Sequence, residues 1–170
     1  PFSWHVSTEL KTILNDMGIT ATRDEFDALV KTWGELTPWK NTKETLQTLY
    51  AANYTIGVLS NGDRYTLSTA VSVFLPEVPF TYVFPSDFPA GAFKPAANIY
   101  QQAKQVGFEI EEILHVAGGD GDGSGARDAG LFSAVSHSSN RRRLFHDKVG
   151  GTEPCFVLYD ISEVPGILGL

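Results

Sequence analysis

The chain has 170 residues, 42% hydrophobic and 19% charged, with a formal net charge of −7 and a pI near 5.0. That length suffices for one full core, and an acidic chain argues against nucleic-acid binding, which draws its affinity from Lys and Arg on phosphates. No run of 18 apolar residues is present, so no membrane span is expected.

In chain order, the first forty residues read as helical. Leu10, Ile13, Leu14 and Met17 fall at helical spacing and end at Gly18, a good helix stop. Thr22 with Glu25 makes a capping box, and Phe26, Leu29, Val30 and Trp33 give a second stripe closed by Pro38. Asn41 and Glu44 start another helix. YTIGVLS (54–60) is an apolar β-rich run that ends in the turn signal Asn61-Gly62-Asp63. A helix is expected from Tyr65 to about Leu75, then a strand in FTYVFPSD (80–87). Pro95 fits the first turn of a helix running to Val106, with Gly107 as its stop. ILHVAG (113–118) is the next strand. SGARDAG (124–130) reads as a short helix ending at Gly130. LFSAVSH (131–137) and CFVLYDI (155–161) are the last strands, and the stretch with Arg141–Arg143 and Gly150-Gly151 is loop.

Strands alternating with helices imply parallel βαβ units and a doubly wound α/β sheet. The chemistry of such folds sits at the carboxyl ends of the strands. Those ends carry Ser60-Asn61, Ser86-Asp87 and the segment GGDGDGSGARDAG (118–130). Taken as an EF-hand loop, that segment offers Asp120, Asp122, Ser124 and Gly125 at the right places, but Leu131 stands where a bidentate Glu is needed. No Gly-Lys-Ser/Thr follows, so it is not a Walker loop. Gly121, Gly123 and Gly125 alternate without the spacing of a dinucleotide fingerprint. A linker reading conflicts with its place between a strand and a helix. What remains is an acid at a turn before a helix whose small residues, Gly125, Ala126 and Ala129, face the sheet. His115, mid-strand, reads as a core histidine, Cys155 as a small core residue, Asp63 and Asp87 as turn residues and Asp128 as solvent-facing. The single cysteine excludes an internal disulfide and fits a reducing compartment, the cytoplasm.

Asp122-x-x-Gly125-Ala126 resembles the fourth motif of the haloacid dehalogenase superfamily. GVLSNG (57–62) looks like the second motif and Phe93-Lys94-Pro95 like the third. Tyr100, six residues after Lys94, matches a tyrosine of the type II 2-haloacid dehalogenases, and WGELTPW (33–39) looks like the exit from the family's helical cap. Four motifs in order are a specific signal, and the resemblance covers nearly the whole chain. It implies a three-layer Rossmannoid sandwich, with part of a helical cap at 1–38 and the α/β core at 39–170. The family's nucleophile is an aspartate ending the first strand, near the chain start. Asp16 and Asp24 lie in helical patterns and do not match it. By the family's layout the chain, which starts at Pro1, begins inside the cap, without that strand and without a cap-proximal arginine. The chain alone is therefore expected to be a fragment, inactive or poorly stable. A second departure is Ala117 and Gly119, where such dehalogenases carry Ser and Asn.

The chemistry implied is nucleophilic catalysis by an aspartate, through an ester intermediate, on a 2-haloacid. The resemblance gives Lys94 the role of a fixed positive charge beside carboxylates, and Asp122 that of holding Lys94 and helping to position or activate water. Ser60 and Asn61 would bind the substrate or leaving anion, and Tyr100 would donate to an active-site carboxylate. No cofactor is expected. A Mg²⁺-dependent phosphatase, with Asp120 and Asp122 as ligands, is the alternative, together with a truncated non-catalytic product. The expected partner is a small-molecule substrate, with no nucleic acid and no membrane; a homodimer stays open.

Overall fold

Short apolar strands interspersed with helices build two parallel ladders in the computed structural model, which describes residues 2–74, 77–87, 91–136 and 155–170. Helices α1 (Phe2–Asp16) and α2 (Arg23–Lys31) come first, the latter followed by a 3₁₀ turn at Thr32–Gly34. Strand β1 (Gly57–Leu59) follows helix α3 (Thr42–Ala51), and helix α4 (Arg64–Phe74) leads to β2 (Tyr82–Phe84). Helix α5 (Ala97–Gln101) continues as a 3₁₀ helix to Val106. Strand β3 (Leu114–Ala117), helix α6 (Asp120–Asp128), strands β4 (Phe132–Ser136) and β5 (Phe156–Leu158), and helix α7 (Val164–Ile167) complete the order.

The α/β class with parallel strands follows the sequence reading. β1 pairs β2 in parallel, Gly57 opposite Tyr82. β3, β4 and β5 form a second parallel ladder, Leu114 opposite Phe132 and Ala134 opposite Phe156. Among the described residues the two ladders do not pair with each other. Yet they share their packing. Ile56, Leu114, Ala134 and Leu158 enter one apolar layer with Leu49, Val78 and Val164. Leu59 and Ile113 enter a layer on Ile99, Tyr100, Ala126 and Leu131. Successive strand residues point to opposite faces, so Ile113 and Leu114 reach different layers. Among the described residues no helix is long and apolar enough to cross a membrane.

Some local expectations hold and others change. The capping box at Thr22 and Glu25 forms on both sides, as expected, and Gly107 ends its helix with φ +81°. Asn41 precedes α3 with φ 66° and no side-chain cap; its amide instead donates to Asp160 Oδ1 at 3.2 Å. The largest correction is α6. It starts at Asp120, not at Ser124, so Asp122 lies within the first helical turn and not in a loop. Glycine disfavours a helix by roughly 1 kcal/mol per residue, which is why DGDGSG reads as loop. Packing overrides that, because Gly123, Gly125 and Ala126 are buried. Arg141–Arg143 and Gly150-Gly151 lie outside the described residues.

Candidate active site

The site forms where the carboxyl ends of β1 and β3 meet the loop before α5. After β1, Ser60 N donates to Phe84 O (3.1 Å), which keeps the strand pairing intact to its last residue. Ser60 Oγ accepts from Gly62 N at 3.1 Å, and that bond orients the hydroxyl while leaving its hydrogen as a donor. Buried Ser86, just past β2, supports the turn: its Oγ donates to Asn61 O (2.7 Å) and its N to Gly62 O (3.1 Å). Asn61 Oδ1 accepts from Lys94 N at 2.6 Å. A backbone N–H can only donate, so the amide oxygen must face it and the NH₂ group is turned the other way.

Lys94 Nζ donates to Asp122 Oδ2 at 2.8 Å, with the two side chains 14% and 25% exposed. Tyr100, fully buried on α5, donates from its hydroxyl to Asp122 Oδ1 (2.8 Å) and also to Asp122 O (3.1 Å). Its ring sits against α6 because residue 125 is glycine; a β-carbon there would lie 2.7 Å from Tyr100 Oη and 2.9 Å from Pro95 Cβ. His115, on β3, brings Nε2 to 3.0 Å from Asp122 Oδ1. One carboxylate thus gathers three side-chain donors.

Burial by itself pushes the Asp122 carboxyl up. The bonds and charges of His115 and Lys94 outweigh it and hold the group down at about 2. Asp122 is therefore an anion at neutral pH and a weak proton acceptor, suited to fixing Lys94 more than to pulling a proton from water. Burial first, and then the Asp122 charge and hydrogen bond, push the Tyr100 phenol well above its ordinary range, so it stays a donor.

A second cluster ties the N-terminal helix to this region. Asp63 is 5% exposed. Its Oδ1 accepts from Thr66 N (2.9 Å), and its Oδ2 accepts from Ser3 N (3.0 Å), sixty residues away. Burial raises its carboxyl, but bonds from Ser3 and Thr66 bring it down to about 2. The ring of Phe93, next to Lys94, has Phe2 at 6.5 Å and His5 at 5.4 Å between centroids. So α1 leans on the loop that carries the lysine.

Of the residues singled out in the sequence, Lys94, Asp122 and Tyr100 touch one another, and Asn61 joins them through the Lys94 backbone. Ser60 stands one residue before Asn61 without a direct bond to Asp122 among those observed. Asp120 is exposed on the first turn of α6. Among the described residues no three His, Cys, Asp or Glu side chains cluster as a metal would need. The sequence reading missed His115 and Asp63. Strand alternation could have placed His115 on the face of Ile113, but its partner depends on α6 beginning at Asp120. Cys155 is half-buried before β5, where Arg127 Nη1 donates to its sulfur.

Known proteins with this fold and sequence pattern are consistent with one another. The model of the haloacid dehalogenase-like hydrolases matches residues 5–130. An (S)-2-haloacid dehalogenase of Pseudomonas fluorescens is 27% identical over 123 residues, which is 72% of this chain and 54% of that protein. The chain thus spans about half the length of this curated relative. Two solved structures share the fold. The L-2-haloacid dehalogenase RSc1362 has a TM-score of 0.86 at 19% identity, over 100% of this chain and 73% of its own. The L-2-haloacid dehalogenase of Xanthobacter autotrophicus, with chloropropionic acid covalently bound, has a TM-score of 0.82 at 21% identity, over 96% and 74%.

Proposed function

Because this chain belongs to the haloacid dehalogenase-like hydrolases, we propose that its site serves the hydrolysis of a 2-haloacid through an ester formed on an aspartate. The observation that carries the reading is Lys94, fixed by Asp122 at 2.8 Å and by Asn61 through its backbone at 2.6 Å. A held ammonium beside a carboxylate nucleophile and a carboxylate substrate lowers their repulsion before any bond changes.

In that chemistry an aspartate oxygen attacks the carbon bearing the halogen. The C–O bond forms, the carbon–halogen bond breaks, halide leaves and the configuration inverts. Water then attacks the ester carbonyl, giving the 2-hydroxyacid and restoring the carboxylate. The Ser60 hydroxyl hydrogen and the Asn61 NH₂ group are donors for the substrate carboxylate or the departing halide. Tyr100 keeps Asp122 in place. Neither Asp16, the last residue of α1, nor Asp24, in the first turn of α2, ends a strand. We assign the nucleophile to a further strand lying between β1 and β3. Two ladders that share both apolar layers without pairing leave room for such a strand.

The test uses a protein that carries this chain together with the strand proposed. Halide release from an S-2-chloroacid, abolished by Lys94→Met, supports the proposal. Phosphate-ester turnover requiring Mg²⁺, without halide release, would move the site to phosphatase chemistry. Halide release by the 170-residue chain alone would overturn the assignment of the nucleophile.

A further inference from the structure

We infer that His115 is a positioning residue of this site: its Nε2–H fixes the rotation of the Asp122 carboxylate, so that Oδ2 faces Lys94. The inference rests on the reading of Lys94 and Asp122 as the working pair. The torsion that turns a carboxylate is broad and weakly held by its own chain. Something outside the side chain must set it. Tyr100 does so only in part, because its one hydroxyl hydrogen is divided between Asp122 Oδ1 (2.8 Å) and Asp122 O (3.1 Å). His115 Nε2, at 3.0 Å, addresses Oδ1.

The proton follows from the partner. An ionised carboxylate has only lone pairs to offer, so a ring nitrogen at 3.0 Å from it must carry hydrogen. The side chain is 11% exposed, and its ring stands edge-on to Tyr100, with centroids 5.5 Å apart at 89°. That places an imidazole in the layer of Ile99, Ile113 and Leu131, where an aliphatic or phenyl side chain would pack without a polar atom to satisfy. The bond to Asp122 offsets that cost and orders three donors on one acid: His115 and Tyr100 on Oδ1, Lys94 on Oδ2.

The test needs no substrate and uses the 170-residue chain. Carboxyl ¹³C NMR follows the titration of Asp122 in wild type, His115→Phe and His115→Gln, with circular dichroism confirming that each is folded. Phe keeps the volume and removes the donor; Gln restores an N–H. His115→Phe should raise the Asp122 midpoint by about one pH unit, and His115→Gln should bring it most of the way back. An unmoved midpoint in His115→Phe, or an equal rise in both variants, would overturn the inference. The wild-type protein gives a further reading that is independent of variant folding. Ring ¹⁵N shifts of His115 should show hydrogen on Nε2; a neutral ring protonated at Nδ1 alone would also overturn it. These outcomes are independent of halide release, so a failure here and a failure of the dehalogenase reading are distinguishable.

Discussion

Gly125→Ala is the substitution whose outcome can be worked furthest from the geometry. The new β-carbon would lie 2.7 Å from Tyr100 Oη, 2.9 Å from Pro95 Cβ and 3.0 Å from Tyr100 Cε2. Carbon atoms in ordinary contact stand about 3.5–4.0 Å apart, so the ring must retreat by roughly 0.5–1 Å. Tyr100 has no exposed surface to retreat into. Overpacking of this kind costs about 1–3 kcal/mol. Drawing the hydroxyl away from the Asp122 carboxylate adds about 1.5–3 kcal/mol. Alanine recovers roughly 1 kcal/mol of helix propensity. The net loss is then about 1.5–5 kcal/mol, a fall in Tm of roughly 3–20 °C for a chain of this size. Thermal unfolding followed by circular dichroism measures it. Gly121→Ala, in the same helix with no atom within 4 Å of its β-carbon, supplies the control and should leave Tm unchanged or raise it. If Gly125→Ala matches Gly121→Ala, Tyr100 does not depend on a glycine there, and the account of how the ring reaches Asp122 is wrong.

The remaining predictions concern the two depressed carboxylates. Asp122 and Asp63 each sit at about 2, against an ordinary 3.8, so the unfolded chain binds protons before the folded one does. Their contribution is complete above pH 4 and is lost as pH falls toward 2; for Asp122 it is roughly 2 kcal/mol. Urea unfolding at pH 5, 3.5 and 2.5 should show the decline, and Asp122→Asn should flatten it; a parallel decline in that variant would refute the assignment. Asp63→Ala strips acceptors from the Thr66 and Ser3 amides. It should cost about 1–2 kcal/mol, as the loss of a helix cap does. Hydrogen exchange at both amides should quicken, whereas unchanged protection would mean that Asp63 does not hold α1.

Much of the architecture was legible because it rests on local rules. Period and turn residues locate the five strands among the described residues to within a few residues, and the Thr22–Glu25 box and the Gly107 stop need only neighbours in sequence. Lys94, Asp122 and Tyr100 were singled out through the family resemblance of their motifs, and the structure brings the three together. The rest depends on contacts between distant segments. A glycine-rich run becomes the first half of α6 because Tyr100 and Pro95 pack where side chains would have stood. His115 looks like core until α6 puts an acid one turn into the helix. Asp63 looks like a turn residue because its second partner, Ser3, belongs to another helix. Asp63 and the glycine run were hidden by partners far away in sequence, whereas His115 lies only seven residues from Asp122 and was hidden by the early start of α6.

The same contacts explain how the two ladders hold their relation. Parallel strands normally fix one another through backbone bonds. Among the described residues β1 and β3 do not pair, so, short of the strand proposed between them, side chains supply the fixing. Two apolar layers do so without direction, since hydrophobic contact has none. Direction comes from the polar chain that runs from Asn61 on the first ladder to the Lys94 backbone, and from Lys94 Nζ to Asp122 beyond the second. His115 and Tyr100 anchor its far end from β3 and α5. Lys94 therefore has two tasks in one side chain. It presents a positive charge at the carboxyl ends of the strands, and it links Asn61 after β1 to Asp122 after β3. Its acid partner must stay ionised for both, which accounts for three donors converging on Asp122 where one ion pair would serve charge balance alone.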